Sequence, residues 1–175
     1  MNYMFTIGID PGFRRTALCM LQHGGPKPVL VALQSREQDK EDAGLSWPQR
    51  ALSIARWCVS QVSSLEYHAG CKYQARIAVE HIQYHGGQNG QIAIQCSLLV
   101  GAIVTGLLWD IHSNHDARVC TISPSTWRAQ VLGRANIKTP TDAHLREVID
   151  FGDYKKRTND DLRDAVAIAL WAAQH

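Results

Sequence analysis

Four carboxylates stand where an acidic side chain has no packing purpose: Asp10 in IGIDPG, Glu80 in IAVE, and Asp161 and Asp164 in DLRDAVAIA. Asp10 and Glu80 close apolar strand patterns. Asp161 and Asp164, three residues apart, share one helix face that Ala165, Ile168, Ala169 and Ala172 continue as an apolar stripe. Gathering such groups is costly unless cations compensate them, so the pattern suits divalent metal ions acting on a phosphodiester. A plainer explanation covers part of the set, since Asp160 and Asp161 would complement the positive end of the helix dipole in its first turn. It does not reach Asp164, which lies beyond that turn and is followed by small apolar residues.

Basic side chains near these acids could meet an anionic substrate. They form three clusters: Arg14 with Arg15, residues 155–157, and the trio Arg128, Arg134 and Lys138. Each is equally well read as a solvated surface. The eight histidines show no HExxH-like spacing, so His81 and His85 read as loop or DNA-facing residues rather than zinc ligands. The five tryptophans fall in helical patterns and read as core, with Trp127, beside Arg128, the one to test for DNA contact.

The acids need elements to position them. Residues 5–10, 16–21 and 29–34 read as three short strands joined by PGFRR and HGGPKP turns, a meander. A helix follows from about Ser46, where Ser46 and Gln49 make a capping-box pattern around Pro48. Residues 75–80 read as a strand, followed by a glycine-rich loop and a long uncharged helix over 91–109. A fifth strand over 118–122 runs into a helix opened by Ser123 and Pro124 and closed by Gly133. Thr139 and Pro140 open another helix ending near Gly152, and a last helix starts at about Asn159. The order βββαβαβααα fits an α/β architecture: an antiparallel meander extended by right-handed parallel crossovers into a five-stranded mixed sheet flanked by helices, in which the first and fourth strands can lie side by side and parallel. Asp10 and Glu80 would then emerge at one edge, about 4.8 Å being the spacing of neighbouring strands.

Bulk properties bound the rest. A chain of 175 residues, 45% hydrophobic, is the size of one domain with a full core. The net charge of +2 does not announce polyanion binding. Five cysteines without CxxC pairs favour buried, reduced thiols. Residues 1–5 carry no basic segment leading into a long apolar run, so a cytoplasmic location is expected. Residues 81–109 contain no Asp, Glu, Lys or Arg after Glu80, but their apolar part, 92–108, is interrupted by Gln95, Ser97 and Thr105. It falls short of a membrane span and reads as a buried helix, with no membrane partner expected.

The segments IGIDPGFRRTAL, IAVEHIQYHGGQNGQIAIQ and the C-terminal DxxDAxAIA resemble the RuvC family of Holliday junction resolvases, which have the RNase H-like fold. The similarity runs from the first strand to the last helix, and the PSTWRAQVLG block looks closest to phage-type or otherwise divergent members. The resemblance implies one RNase H-like nuclease domain over residues 1–175, in a bacterial cell or a phage-infected host. It implies that Asp10, Glu80, Asp161 and Asp164 are catalytic metal ligands for two Mg²⁺ ions, with Mn²⁺ able to replace them. Asp10 would bridge both ions, Glu80 and Asp164 would hold one each, and Asp161 would complete or orient the set.

The same resemblance makes Arg128 a phosphate contact, Lys138 a second basic residue with its spacing about one residue off the bacterial pattern, and Tyr84 the aromatic wedge, one position later than in bacterial members. With Arg14 and Arg15 these form the expected DNA-binding set. The implied reaction is Mg²⁺-dependent resolution of four-way junctions by paired symmetric nicks, leaving ligatable ends, carried out by a homodimer. The apolar helix over 91–109 is either the seam of that dimer or a core helix wrapped by others.

Rival functions remain on the sequence alone. An actin-like or sugar-kinase ATPase also begins with a strand ending in IDxG, but needs two such domains and more residues than this chain has. A nuclease acting on other branched DNA or on RNA·DNA hybrids would use the same chemistry. A non-catalytic branched-DNA binder would have little reason to carry all four acids.

Overall fold

The computed structural model describes residues 4–38, 42–69, 74–81, 90–111, 117–133, 139–154 and 158–175. Strands β1 (Met4–Asp10), β2 (Arg15–His23) and β3 (Val29–Glu37) form the antiparallel meander. Helix α1 (Trp47–Ala69) leads to β4 (Gln74–Glu80), which pairs parallel with β1. Helix α2 (Gly90–Ile111) leads to β5 (Ala117–Ile122), parallel to β4. Helices α3 (Pro124–Val131), α4 (Asp142–Val148) and α5 (Asp160–Gln174) complete the described chain. The result is one five-stranded mixed sheet in the order β3-β2-β1-β4-β5.

Strand alternation divides the core between the two faces of this sheet. Phe5, Ile7 and Ile9 of β1 and Ala75, Ile77 and Val79 of β4 pack beneath α1 and α2, against Ile54, Cys58, Leu99, Ile103 and Leu107. Ala17, Cys19 and Leu21 of β2 and Ala78 of β4 face the opposite way, onto α5 and its neighbours. Helix α5 is the central helix of that second face, and the predicted stripe of Ala165, Ile168, Ala169 and Ala172 is buried along it. Helix starts follow side-chain capping. Ser46 donates its N–H to Gln49 Oε1 at 2.9 Å, while the side chains of Ser123, Thr141 and Asn159 accept the backbone N–H groups of Thr126, His144 and Leu162.

Three features differ from the sequence reading. The helix expected from Thr139 to near Gly152 is only Asp142–Val148, with Thr141 as its N-cap. Ile149 is extended, and Asp150 pairs with the start of β3, donating to Pro28 O and accepting from Leu30 N, both at 2.8 Å. A long-range pairing thus outcompetes local helical preference. A short 3-10 turn at Asp42–Gly44 was not expected; buried Asp42 there accepts from Arg36 Nη2 through each carboxylate oxygen at 2.8 Å.

The third feature is α2, which is buried on one face only. Leu99, Val100, Ile103 and Leu107 enter the core, whereas Ile92, Ile94, Leu98, Leu108 and Trp109 are exposed. By length and composition alone, Gly90–Asp110 is long and apolar enough to cross a membrane, contrary to the expectation that it falls short of a span. Among the tryptophans, Trp109 is therefore not a core residue: it is 85% exposed. Of the described cysteines, Cys19 and Cys58 are buried as expected, while Cys120 is exposed on edge strand β5.

Candidate active site

Asp10 and Glu80 end adjacent parallel strands, and the pairing of Ile9 with Val79 puts them level at the C-terminal edge of the sheet. Because Ile9 and Val79 point into the core beneath α1 and α2, their neighbours Asp10 and Glu80 project onto the face that carries α5. The turn after Asp10 is tied by Thr16, whose hydroxyl donates to Gly12 O at 2.8 Å. A Cβ on Gly12 would come within 2.4 Å of Arg15 O, so the turn requires glycine there.

Helix α5 brings the other two acids. Asn159 caps it by accepting from Leu162 N at 2.9 Å, which leaves Asp160 and Asp161 in its first turn and Asp164 one turn further in. Asp160 is exposed and pairs with Arg163 on the helix surface. Asp161 instead accepts from Arg15 Nη1 at 2.9 Å. The two neighbouring acids are thus separated by partner, and Asp161 is the one on the side of Asp10.

The electrostatics are those of crowded carboxylates. Burial, followed by the charges of Glu80, Asp164 and Asp161, pushes Asp10 well above the usual carboxylate range, against a smaller opposing pull from Arg128. Asp164 is pushed up to about 7, first by burial and then by Glu80, again opposed by Arg128. Burial also raises Glu80, although the hydrogen bond from Trp127 and the charge of Arg128 pull it down. Asp10, Glu80 and Asp164 therefore sense one another through a poorly solvated space.

Among the described residues, no three His, Cys, Asp or Glu side chains converge tightly enough to hold an ion as they stand. Each of three acids has a local partner instead: Asp161 has Arg15, Glu80 accepts from Trp127 Nε1 at 2.9 Å, and Asp164 Oδ2 faces Arg128 Nη2 at 3.8 Å. The donor set still fits a hard divalent cation, because all of it is carboxylate oxygen. Asp164 Oδ1 is buried with no hydrogen-bond partner, an atom that a cation would satisfy.

Solved structures of known proteins share this architecture. Thermus thermophilus RuvC, solved in complex with Holliday junction substrate, superposes with a TM-score of 0.69 at 18% identity, over 97% of this chain and 93% of that one. The chain has the RuvC fold. This RNase H-like fold is also that of the yeast mitochondrial Holliday junction resolvase, with a TM-score of 0.64, 16% identity and coverage of 97% and 79%. The Mn-soaked human cytomegalovirus terminase nuclease domain follows at 0.52, 15% identity and coverage of 97% and 83%. No family model and no curated protein matches the sequence.

On this RuvC-like framework the basic residues differ in what they can offer. Arg14 is exposed on the β1–β2 turn. Arg15 is engaged by Glu37 at 2.7 Å and by Asp161, so its guanidinium is already shared between two carboxylates. Arg128 is largely buried, with its Nε unpartnered, and fronts Asp164. Tyr84, His85, Arg134, Lys138 and residues 155–157 lie outside the described residues.

His81 is half-buried, its backbone N–H donating to Ile122 O at 2.9 Å, which extends the β4–β5 ladder past Glu80. Trp127 is not a DNA-facing residue: it is fully buried, and its indole is turned to Glu80. Sequence reasoning missed this contact. The available signal was topological, because a helix that begins directly after β5 starts beside the end of β4, where Glu80 sits.

Proposed function

We propose that this chain is a Mg²⁺-dependent structure-selective DNA endonuclease, a crossover junction endodeoxyribonuclease that resolves four-way junctions as a homodimer. The observation that carries the reading is the gathering of Asp10, Glu80 and Asp164 at one sheet edge, where burial and then the charge of Glu80 raise both Asp10 and Asp164. That arrangement is unfavourable for a protein with no use for cations.

Two divalent ions would supply an activated water and charge neutralisation at the leaving oxygen of a phosphodiester. Asp10, whose carboxyl feels the charges of Glu80, Asp164 and Asp161, would be shared between them, and Glu80 and Asp164 would hold one each. Asp161 has to leave Arg15 to complete the set, and otherwise orients it from outside. Arg128, which fronts Asp164, would meet the phosphate, and exposed Arg14 the flanking backbone. Mn²⁺, another oxygen-seeking divalent ion, is expected to support the same reaction.

The dimer reading is supported by α2. Its exposed Ile92, Ile94, Leu98 and Trp109, with a groove of about 760 Å³ between α1 and α2, form an apolar surface beyond what a monomer needs. A two-fold dimer would bury that surface and present two sites to a two-fold junction. The terminase nuclease domain carries the same fold, so the substrate must be tested rather than assumed. Purified protein would be incubated with labelled four-way, flap, RNA·DNA hybrid and linear duplex substrates, with and without Mg²⁺. Paired Mg²⁺-dependent nicks confined to four-way junctions are expected; cutting of hybrids or linear duplex in preference would replace the junction assignment, and binding without cutting would leave a branched-DNA binder.

A further inference from the structure

We propose that Trp127 is a positioning residue of the acidic centre, its indole N–H aiming Glu80 and its ring face carrying Arg128. The proposal rests on the metal-dependent nuclease reading above. Trp127 is fully buried, in a cluster with Ala78, Ile122, Ile168 and Trp171, and sits in the first turn of α3, which Ser123 caps. A buried indole must place its N–H on an acceptor, and here the acceptor is Glu80 Oε2 at 2.9 Å, itself a buried carboxylate. On the other side Arg128 lies over the ring, its guanidinium carbon 4.9 Å from the ring centroid, and reaches toward Asp164 at 3.8 Å. One side chain therefore sets the direction of an acid and of the cation that fronts the acids.

The choice of donor matters chemically. A lysine or arginine in this place would neutralise Glu80 and compete with a divalent ion for it. An indole N–H orients one oxygen without adding charge, so Glu80 Oε1 would remain available to an ion. Asp161 shows the contrast, since its partner Arg15 is a full cation. Burial alone would be served by any large apolar side chain at 127, whereas the N–H is needed only if the direction of Glu80 matters.

The test compares wild type with Trp127→Phe, which keeps an aromatic face for Arg128 and deletes the donor. Mn²⁺ binding to the DNA-free protein would be measured by calorimetry, and the Mg²⁺ dependence of junction cleavage alongside. Expected is a loss of Mn²⁺ affinity of about 10-fold to 100-fold, the range seen when a ligand's supporting hydrogen bond is removed. The Mg²⁺ concentration for half-maximal rate should rise in parallel, and kcat at saturating Mg²⁺ should recover most of the wild-type value. A purely structural role would lower stability without moving the metal midpoint. If Trp127→Phe does not fold, benzothienylalanine at 127, in which sulfur replaces the N–H at nearly constant shape, serves instead. A folded variant that binds Mn²⁺ as wild type does overturns the proposal while leaving the nuclease reading intact. Wild-type protein that neither binds Mn²⁺ nor cuts any substrate takes down both.

Discussion

Gly8 of β1 lies against the backbone of Ala165 in α5, so close that a Cβ on it would stand 2.1 Å from the Ala165 carbonyl oxygen and 2.4 Å from Ala169 N. This contact lets α5 settle directly on the sheet, which brings Asp164, next to Ala165, alongside Asp10, two residues beyond Gly8. Both obstructing atoms are backbone and cannot swing aside. Gly8→Ala should therefore push the helix off the strand and cost more than about 3 kcal/mol, beyond the usual range for single substitutions. Chemical denaturation would measure it, and a variant within about 1 kcal/mol of wild type would show that the close approach is not what seats α5.

Removing a carboxylate at the sheet edge should separate binding from chemistry. Asp10→Asn and Glu80→Gln are expected to bind four-way junctions with affinity near wild type and to cut them at least about 100-fold more slowly, the equivalent of a few kcal/mol of transition-state stabilisation. Gel-shift and single-turnover cleavage on the same preparations would check both halves. Full Mg²⁺-dependent cleavage by either variant would refute the site.

The crowded acids also predict a pH dependence for the metal-free protein. Asp10, Glu80 and Asp164 hold protons more tightly folded than unfolded, Asp164 up to about 7, so the folded state binds more protons than the unfolded state once pH exceeds about 4. Stability contributed by these groups is then present below pH 4 and lost as pH rises through about 7. In chelator, the contribution of these acids should lower Tm from pH 5 to pH 8, and Asp164→Asn should reduce the slope. Mg²⁺ should restore Tm more at pH 8 than at pH 5, because it competes with the protons for the same oxygens. A pH slope unchanged by Asp164→Asn would contradict the coupling.

The two adjacent arginines should behave differently toward DNA. Arg14→Ala is expected to weaken junction binding and to reduce the slope of log affinity against log salt by about one. Arg15→Ala should change that slope less, since Arg15 already serves Glu37 and Asp161. Titrations at several salt concentrations would read both slopes, and equal slopes would mean that Arg15 abandons its carboxylates when DNA arrives.

A charge on the apolar face of α2 should dissociate the proposed dimer. Trp109, 85% exposed, can be replaced by Glu without leaving a hole in the core. Sedimentation of Trp109→Glu at micromolar concentration should show a monomer where wild type shows a dimer. A wild-type monomer under the same conditions would leave this face without the assigned partner.

Much of this molecule is legible from local sequence because its signals are local. Strand alternation, the turn residues after Asp10, the capping pattern of Ser46 and Gln49, and the apolar stripe beginning at Ala165 each depend on neighbours within about one helical turn. They place Asp10, Glu80, Asp161 and Asp164 on named elements and one face apiece. What tertiary structure alone decided are contacts between residues far apart in the chain: the seating of Gly8 on Ala165, the capture of Asp161 by Arg15 while Asp160 turns to Arg163, the pairing of Asp150 with β3, and the bond from Trp127 to Glu80. The exposure of one face of α2 belongs with them, because an apolar helix reads alike whether one side or every side is covered. Periodicity records that a side chain prefers to leave water; only the packed elements determine which partner it finds there.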